Sequence, residues 1–238
     1  MWLLNKLFKS TKLANIKTHY APYNRDIYED IIVKLKSGGN VKIKPFNNFH
    51  QPETDVTSLY FRHDIDTLDC LNNLSSLVEI DRRHGIVPGI FFIVNDEPYS
   101  LASCRDLATY IRDLGYPVGL HSVCYLNDDY IGAFQQEISI FTSTFGFKPD
   151  TFNTHGLGSL RLDTRLKFYD EISRRYQEFG FQYSDCCAKL REYRYIFEDC
   201  HWDKDKSNRY LKNDFFDPLS SLENGNALVL THPCYWSY

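Results

Sequence analysis

Apolar and polar positions along this chain follow two periods, and the period switches repeatedly. Between residues 68 and 84, apolar side chains recur at Leu71, Leu74, Leu77, Val78 and Ile80, the spacing of a helix with one buried face, and Gly85 follows as a stop signal. Residues 86–94 then form a largely apolar run of strand length, as expected of a strand covered on both faces. The alternation continues with a helix over 99–114 closed by Gly115, a strand at 117–121, a helix over 128–145 closed by Gly146, and a strand at 151–154. A helix over 163–179 closed by Gly180 and a strand at 181–184 follow, then strands at 191–197 and 227–230 with a short helix at 217–222 between them. Upstream, a strand is predicted at 58–61, preceded by the alternating Val41-Lys42-Ile43-Lys44 and by a helix over 28–36 with Asp26 as its N-cap.

Strands alternating with helices of this length imply parallel strands joined by right-handed crossovers. Roughly seven such steps suit a barrel better than an open sheet. The expected fold is therefore α/β, a distorted (β/α)7-type barrel over residues 58–238, with residues 1–57 as a short helix and strand extension packed on it. A chain of 238 residues, 43% of them hydrophobic, can bury the core this requires.

Composition narrows the partners. A net charge of −4 and a pI near 6.1 give no electrostatic reason to bind nucleic acid or an anionic membrane. The longest apolar run is about half of the roughly 20 residues a membrane span needs. The first nine residues mix apolar and basic positions without a signal-peptide pattern, and the seven cysteines include no C-x-x-C pair. A cytoplasmic protein with reduced thiols is expected.

In barrels of this kind, functional groups sit at the C-terminal ends of strands. Those ends here carry Asp64 and Asp66, His121, His155, Asp185, Asp199 and His232. Asp64 and Asp66 share one face of an extended strand, and a bound cation is the commonest reason to tolerate two like charges together. The plain alternative is that one of them caps the following helix, which explains one carboxylate but not both. Each histidine taken alone is equally a satisfied core or loop residue; with the carboxylates they form a ligand set for Zn²⁺, or for Fe²⁺, Mn²⁺, Co²⁺ or Ni²⁺. His232 has the alternative role of a general acid. His63 should face away from the aspartates and serve structure, and His19, His50, His84 and His201 have no converging partners in the sequence.

The segments Arg62-His63-Asp64-Ile65-Asp66, His84 to Phe92, Gly119-Leu120-His121-Ser122, Phe145 to Pro149 with Thr154-His155-Gly156, and Leu230-Thr231-His232-Pro233 resemble the motifs of one family. It is the polysaccharide deacetylase superfamily (NodB homology, carbohydrate esterase family 4), and the resemblance is greatest to the deacetylase-like proteins of surface-polysaccharide biosynthesis clusters. It covers residues 60–236. It implies metal-assisted removal of an acetyl group from an N- or O-acetylated sugar or glycan, with Asp64 as catalytic base, Asp66 and His121 as metal ligands and His232 as general acid. The family's adjacent acidic pair is spread here by Ile65, so the two aspartate roles are open to exchange.

The chain departs from the family at Tyr125, where the second motif carries a second metal-binding histidine. Two protein ligands hold zinc poorly, and His155 is the expected replacement, with a Tyr125 phenolate as the alternative. Arg62 shares strand parity with Asp64 and is expected to orient it. Asp199, favoured over Asp185 because residues 196–202 resemble the polysaccharide-cluster relatives, is expected to pair with His232. Tyr125, Trp202 and Trp236 are expected to contact the sugar. Two other readings remain: a catalytically degenerate carbohydrate-binding barrel, and a metal hydrolase acting on another ester class. Oligomeric state is not legible.

Overall fold

The computed structural model describes residues 25–47, 56–94, 99–156, 161–185, 193–199 and 225–236. Trp202, the helix expected at 217–222, and His19, His50 and His201 lie outside them. In chain order the elements are α1 (Arg25–Ser37), β1 (Val41–Ile43), β2 (Thr57–Ile65), α2 (Leu68–Arg83), β3 (Gly89–Phe92), α3 (Arg105–Asp113), β4 (Val118–Ser122), α4 (Tyr130–Phe145), β5 (Phe152–Thr154), α5 (Leu162–Glu171), β6 (Tyr193–Glu198) and β7 (Gly225–Thr231).

The strands form one seven-stranded sheet in the order β5-β4-β3-β2-β7-β6, and every pairing is parallel. β1 and β3 share one edge of β2, β1 against its first residues (Val41 opposite Thr57) and β3 against its last (Ile65 opposite Phe92). The sheet curls into a partial barrel with helices on its outer face, and among the described strands β5 and β6 end it.

Strand parity in β2 decides what meets what. Leu59 and Phe61 point outward onto Tyr28, Ile31, Ile32 and Leu35 of α1 and onto Leu77 and Ile80 of α2. Tyr60 points inward and joins Phe46, Phe91 and Leu228 in an apolar plug. Arg62 and Asp64 follow on that inward face, so the polar site stands on an aromatic floor. A side chain at Gly119 on β4 would place its Cβ 2.5 Å from the Phe91 ring, so the close packing of that floor requires glycine there. A larger cluster fills the space between β3–β5 and helices α2–α5, centred on Phe134, whose ring meets those of Phe152, Phe168, Phe179 and Phe181.

Several boundaries differ from expectation for identifiable reasons. β2 runs to Ile65 rather than ending at Phe61, because its polar residues all find partners, Arg62 and Asp64 inside the barrel and His63 with Asp81 of α2 on the outer face. The helix expected from residue 99 starts as a 3₁₀ turn at Leu101–Cys104, where the Ser103 hydroxyl donates to the Ser100 carbonyl at 2.6 Å, before α3 begins. The helix expected over 163–179 splits into α5 and a 3₁₀ turn, Tyr176–Phe179. Residues 181–184 form no strand; the segment touches β5 through Thr151 Oγ1 donating to the Tyr183 carbonyl (3.1 Å) and the Asp185 amide donating to Phe152 (3.0 Å). Asp26 lies in the first turn of α1 rather than capping it.

Candidate functional site

The end of β2 sorts its residues by face. His63 points outward and is buried, with Nε2 at 2.8 Å from Asp81 Oδ2 and Nδ1 at 2.5 Å from Thr231 Oγ1, while the Tyr28 hydroxyl donates to Asp81 Oδ1 at 2.9 Å. This closed network ties α1 and α2 to β2 and β7 and leaves His63 no part in the interior chemistry. Asp64 and Asp66 point inward. Neither caps α2: the Thr67 hydroxyl does so, accepting from the Cys70 amide at 3.1 Å. The capping explanation of the aspartates therefore fails, and both carboxylates are free for the site.

Asp66 lies at the centre. His121 Nε2 is 3.1 Å from its Oδ1, His155 Nδ1 is 3.3 Å from its Oδ2, and the two ring nitrogens are 3.1 Å apart. His232 Nε2 approaches Oδ2 from another side at 3.4 Å, and Asp64 Oδ2 is 3.6 Å from His121 Nε2. Burial would raise the Asp66 pKa, but His155 and His121 outweigh it and hold the carboxyl well below its ordinary range.

One neighbour fixes the protons. Asn153, opposite His121 in the β4–β5 register, donates from Nδ2 to Asp64 Oδ1 at 3.2 Å, which turns its carbonyl oxygen onto His121 Nδ1. Nδ1 then carries a proton in either state of the ring, and in the neutral imidazole, the form that ligates a metal, the Nε2 lone pair faces Asp66 and His155. Asp66 Oδ1 is buried and accepts no well-directed hydrogen bond, despite the imidazole nitrogen beside it. One carboxylate oxygen of Asp66, His121 Nε2 and His155 Nδ1 are thus gathered within reach of one ion. Ligands held about 2.0–2.1 Å from a tetrahedral zinc sit roughly 3.4 Å apart, close to the separations here. The donor set fits a divalent ion, and Asp66, His121 and His155 have ligand atoms all within 4.8 Å of one another.

Two ion-pair systems flank this centre. Arg62 donates from Nη2 to Asp64 Oδ2 (2.7 Å) and from Nη1 to Asp185 Oδ2 (2.8 Å), and the Tyr193 hydroxyl donates to Asp185 Oδ1 (3.3 Å). Burial would raise the Asp64 pKa, yet the Arg62 guanidinium, with His121, holds it below the usual carboxylate range. On the other side, Asp199 Oδ1 lies 2.5 Å from His232 Nδ1, while Oδ2 accepts from the His232 amide (2.6 Å) and Trp236 Nε1 (2.9 Å). Burial would lower the His232 pKa, but the Asp199 carboxylate raises it well above that of a free imidazole. Asp199 is thus the residue beside His232, and Asp185 belongs to Arg62.

Tyr125 and Trp236 are placed otherwise than expected. They are 0% and 1% exposed, with no ring face open to a sugar. The Tyr125 hydroxyl donates to the His155 carbonyl at 2.7 Å, so it holds that residue from behind rather than ligating as a phenolate, and Trp236 supports Asp199. His84, expected to lack partners, sits 2.7 Å from Glu29 Oε1. Asn153 was not singled out from the sequence; a polar residue at an inward position of a buried strand, two before His155, is the signal that marks it.

Glu137 of α4 is also buried near the site, accepting from the Ser122 hydroxyl (2.5 Å) and the Val123 amide (3.1 Å). Burial pushes its carboxyl up to about 7 against these two hydrogen bonds and the His121 charge. A raised folded pKa means a contribution to stability that is fully present below about pH 4.5 and lost as pH rises through about 7. Wild type is expected to lose up to about 3 kcal/mol relative to Glu137→Gln between about pH 5 and pH 8, measured by urea unfolding. Parallel pH profiles would show that Glu137 titrates normally.

No family model and no curated protein matches the sequence. Among solved structures, the chain is similar to a mutant CE4 family pseudoenzyme with restored enzymatic activity, at 15% identity over 76% of this chain and 59% of that one, TM-score 0.48. It is similar to the wild-type form of that pseudoenzyme, from Bacillus anthracis, at 14% identity over 76% of this chain and 57% of that one, TM-score 0.49. It is also similar to a polysaccharide deacetylase from Bacillus cereus, at 15% identity over 74% of this chain and 79% of that one, TM-score 0.45. The chain thus spans less than two thirds of the pseudoenzyme structures it matches.

Proposed function

We propose that this chain is a metal-dependent hydrolase that removes an acetyl group from an N- or O-acetylated sugar or glycan precursor. The observation that carries the reading is the convergence of Asp66, His121 and His155 on one point, with Asp64 on one flank and the His232–Asp199 pair on the other. The motif resemblance supplies the reaction class.

Asp66, His121 and His155 would hold the ion, zinc or one of Fe²⁺, Mn²⁺, Co²⁺ or Ni²⁺, with His155 in place of the histidine that Tyr125 replaces. Such an ion supplies a Lewis acid for the acetyl carbonyl and acidifies a water. Asp64, kept ionised by Arg62, accepts the proton of the attacking water. His232, kept protonated by Asp199, donates a proton to the leaving nitrogen or oxygen. Asn153 holds both Asp64 and His121 in register for these roles.

Tyr125 at the second-motif position also favours a second reading, a barrel that binds glycans without catalysis. Incubation of the metal-loaded protein with a panel of acetylated sugars, with acetate and phosphate both assayed, separates the readings. Acetate release abolished by a chelator is expected; saturable sugar binding without acetate from any member would establish the second reading, and phosphate release from phosphosugars would assign another ester class.

A further inference from the structure

The turn that follows His121 is bound to His155 at both ends. The Ser122 carbonyl accepts the His155 amide at 2.9 Å, and the Tyr125 hydroxyl donates to the His155 carbonyl at 2.7 Å. The turn is in turn held from one point on α4. Glu137 accepts from the Ser122 hydroxyl and the Val123 amide, while Ser122 Oγ accepts from the Cys124 amide at 3.2 Å.

Glu137 lies on the apolar face of α4, between Phe134 and Phe141, where both rings are fully buried. A carboxyl in that position costs stability unless its oxygens are used. Both are used, and the two donors diverge from adjacent residues, so one group with two acceptor oxygens answers them. A glutamine offers only one acceptor oxygen, so its N–H either faces the Val123 amide or makes the Ser122 hydroxyl turn from donor to acceptor.

We propose that Glu137 is a positioning residue that fixes the separation of His121 and His155, acting through Ser122 and the turn 122–125. It touches neither histidine. Its removal lets the turn relax, and with it the backbone on both sides of His155. The inference concerns the placement of the two rings and depends on the proposed metal reading only in its cobalt arm.

The test uses the full chain with ¹⁵N-labelled histidine, in wild type, Glu137→Gln and Ser122→Ala, with Glu79→Gln as a surface control. Ser122→Ala removes a single oxygen and keeps the question answerable if Glu137→Gln does not fold. In the metal-free protein, both site variants are expected to shift or broaden the imidazole signals of His121 and His155 while leaving those of His63 and His84 in place. Cobalt titration is expected to show about 10- to 100-fold weaker binding in the same variants. Unmoved His121 and His155 signals in both variants would overturn the proposal. Moved signals in a protein whose wild type takes up no cobalt would uphold the positioning role and overturn the metal reading instead.

Discussion

Replacing Asp64 by asparagine is expected to lower acetate release about 10²- to 10⁴-fold, the contribution of a positioned general base. The substitution is nearly isosteric, and the amide oxygen still accepts from Arg62, so the fold should persist with an unchanged far-UV spectrum. What disappears is a carboxylate that Arg62 holds ionised beside His121. His232→Gln should cost a similar factor through loss of the proton donor backed by Asp199. Initial rates on the best substrate of the acetylated panel measure both. Turnover within about tenfold of wild type in Asp64→Asn would remove Asp64 from the base role and pass that role to Asp66, the other member of the pair.

The second large effect falls on stability. Arg62 lies largely buried between Asp64 and Asp185, and burial, which would lower its pKa, is outweighed by the two carboxylates, which raise it. Arg62→Met leaves both acids buried without their cation, and breaking a buried pair from one side typically costs about 3–5 kcal/mol. Urea unfolding should show that loss. Adding Asp185→Asn should recover part of it, because one of the two orphaned charges is then gone. A single variant within about 1 kcal/mol of wild type would mean that the barrel interior is wet enough to solvate the carboxylates.

The alternation of periods was enough to read the α/β architecture, because a strand buried on both faces and a helix buried on one leave different patterns. It misread residues 181–184, where apolar and aromatic side chains suggested a strand but the segment meets β5 without forming one. It also stopped β2 at Phe61, since a pattern based on apolarity ends where inward positions become charged, even though Arg62 and Asp64 continue the same strand.

At the site, the residues with their own chemistry were legible and their supports were not. Asp66, His121, His155 and His232 could be named because acids and imidazoles stand at strand ends. Asn153, Glu137 and Tyr193 act through partners on other segments, Asp64, Ser122 and Asp185, and only the fold brings them together. Tyr125 and Trp236 show the converse. Aromatic character suggested a sugar platform, while both rings are buried, Tyr125 behind His155 and Trp236 against Asp199.

Metal content tests directly whether His155 completes a metal centre with Asp66 and His121. Wild type and His155→Ala are loaded under metal-replete conditions, desalted and measured by elemental analysis. The expected result is a full equivalent of tightly held metal in wild type and its loss in His155→Ala. Full retention in His155→Ala, or none in wild type, would contradict it.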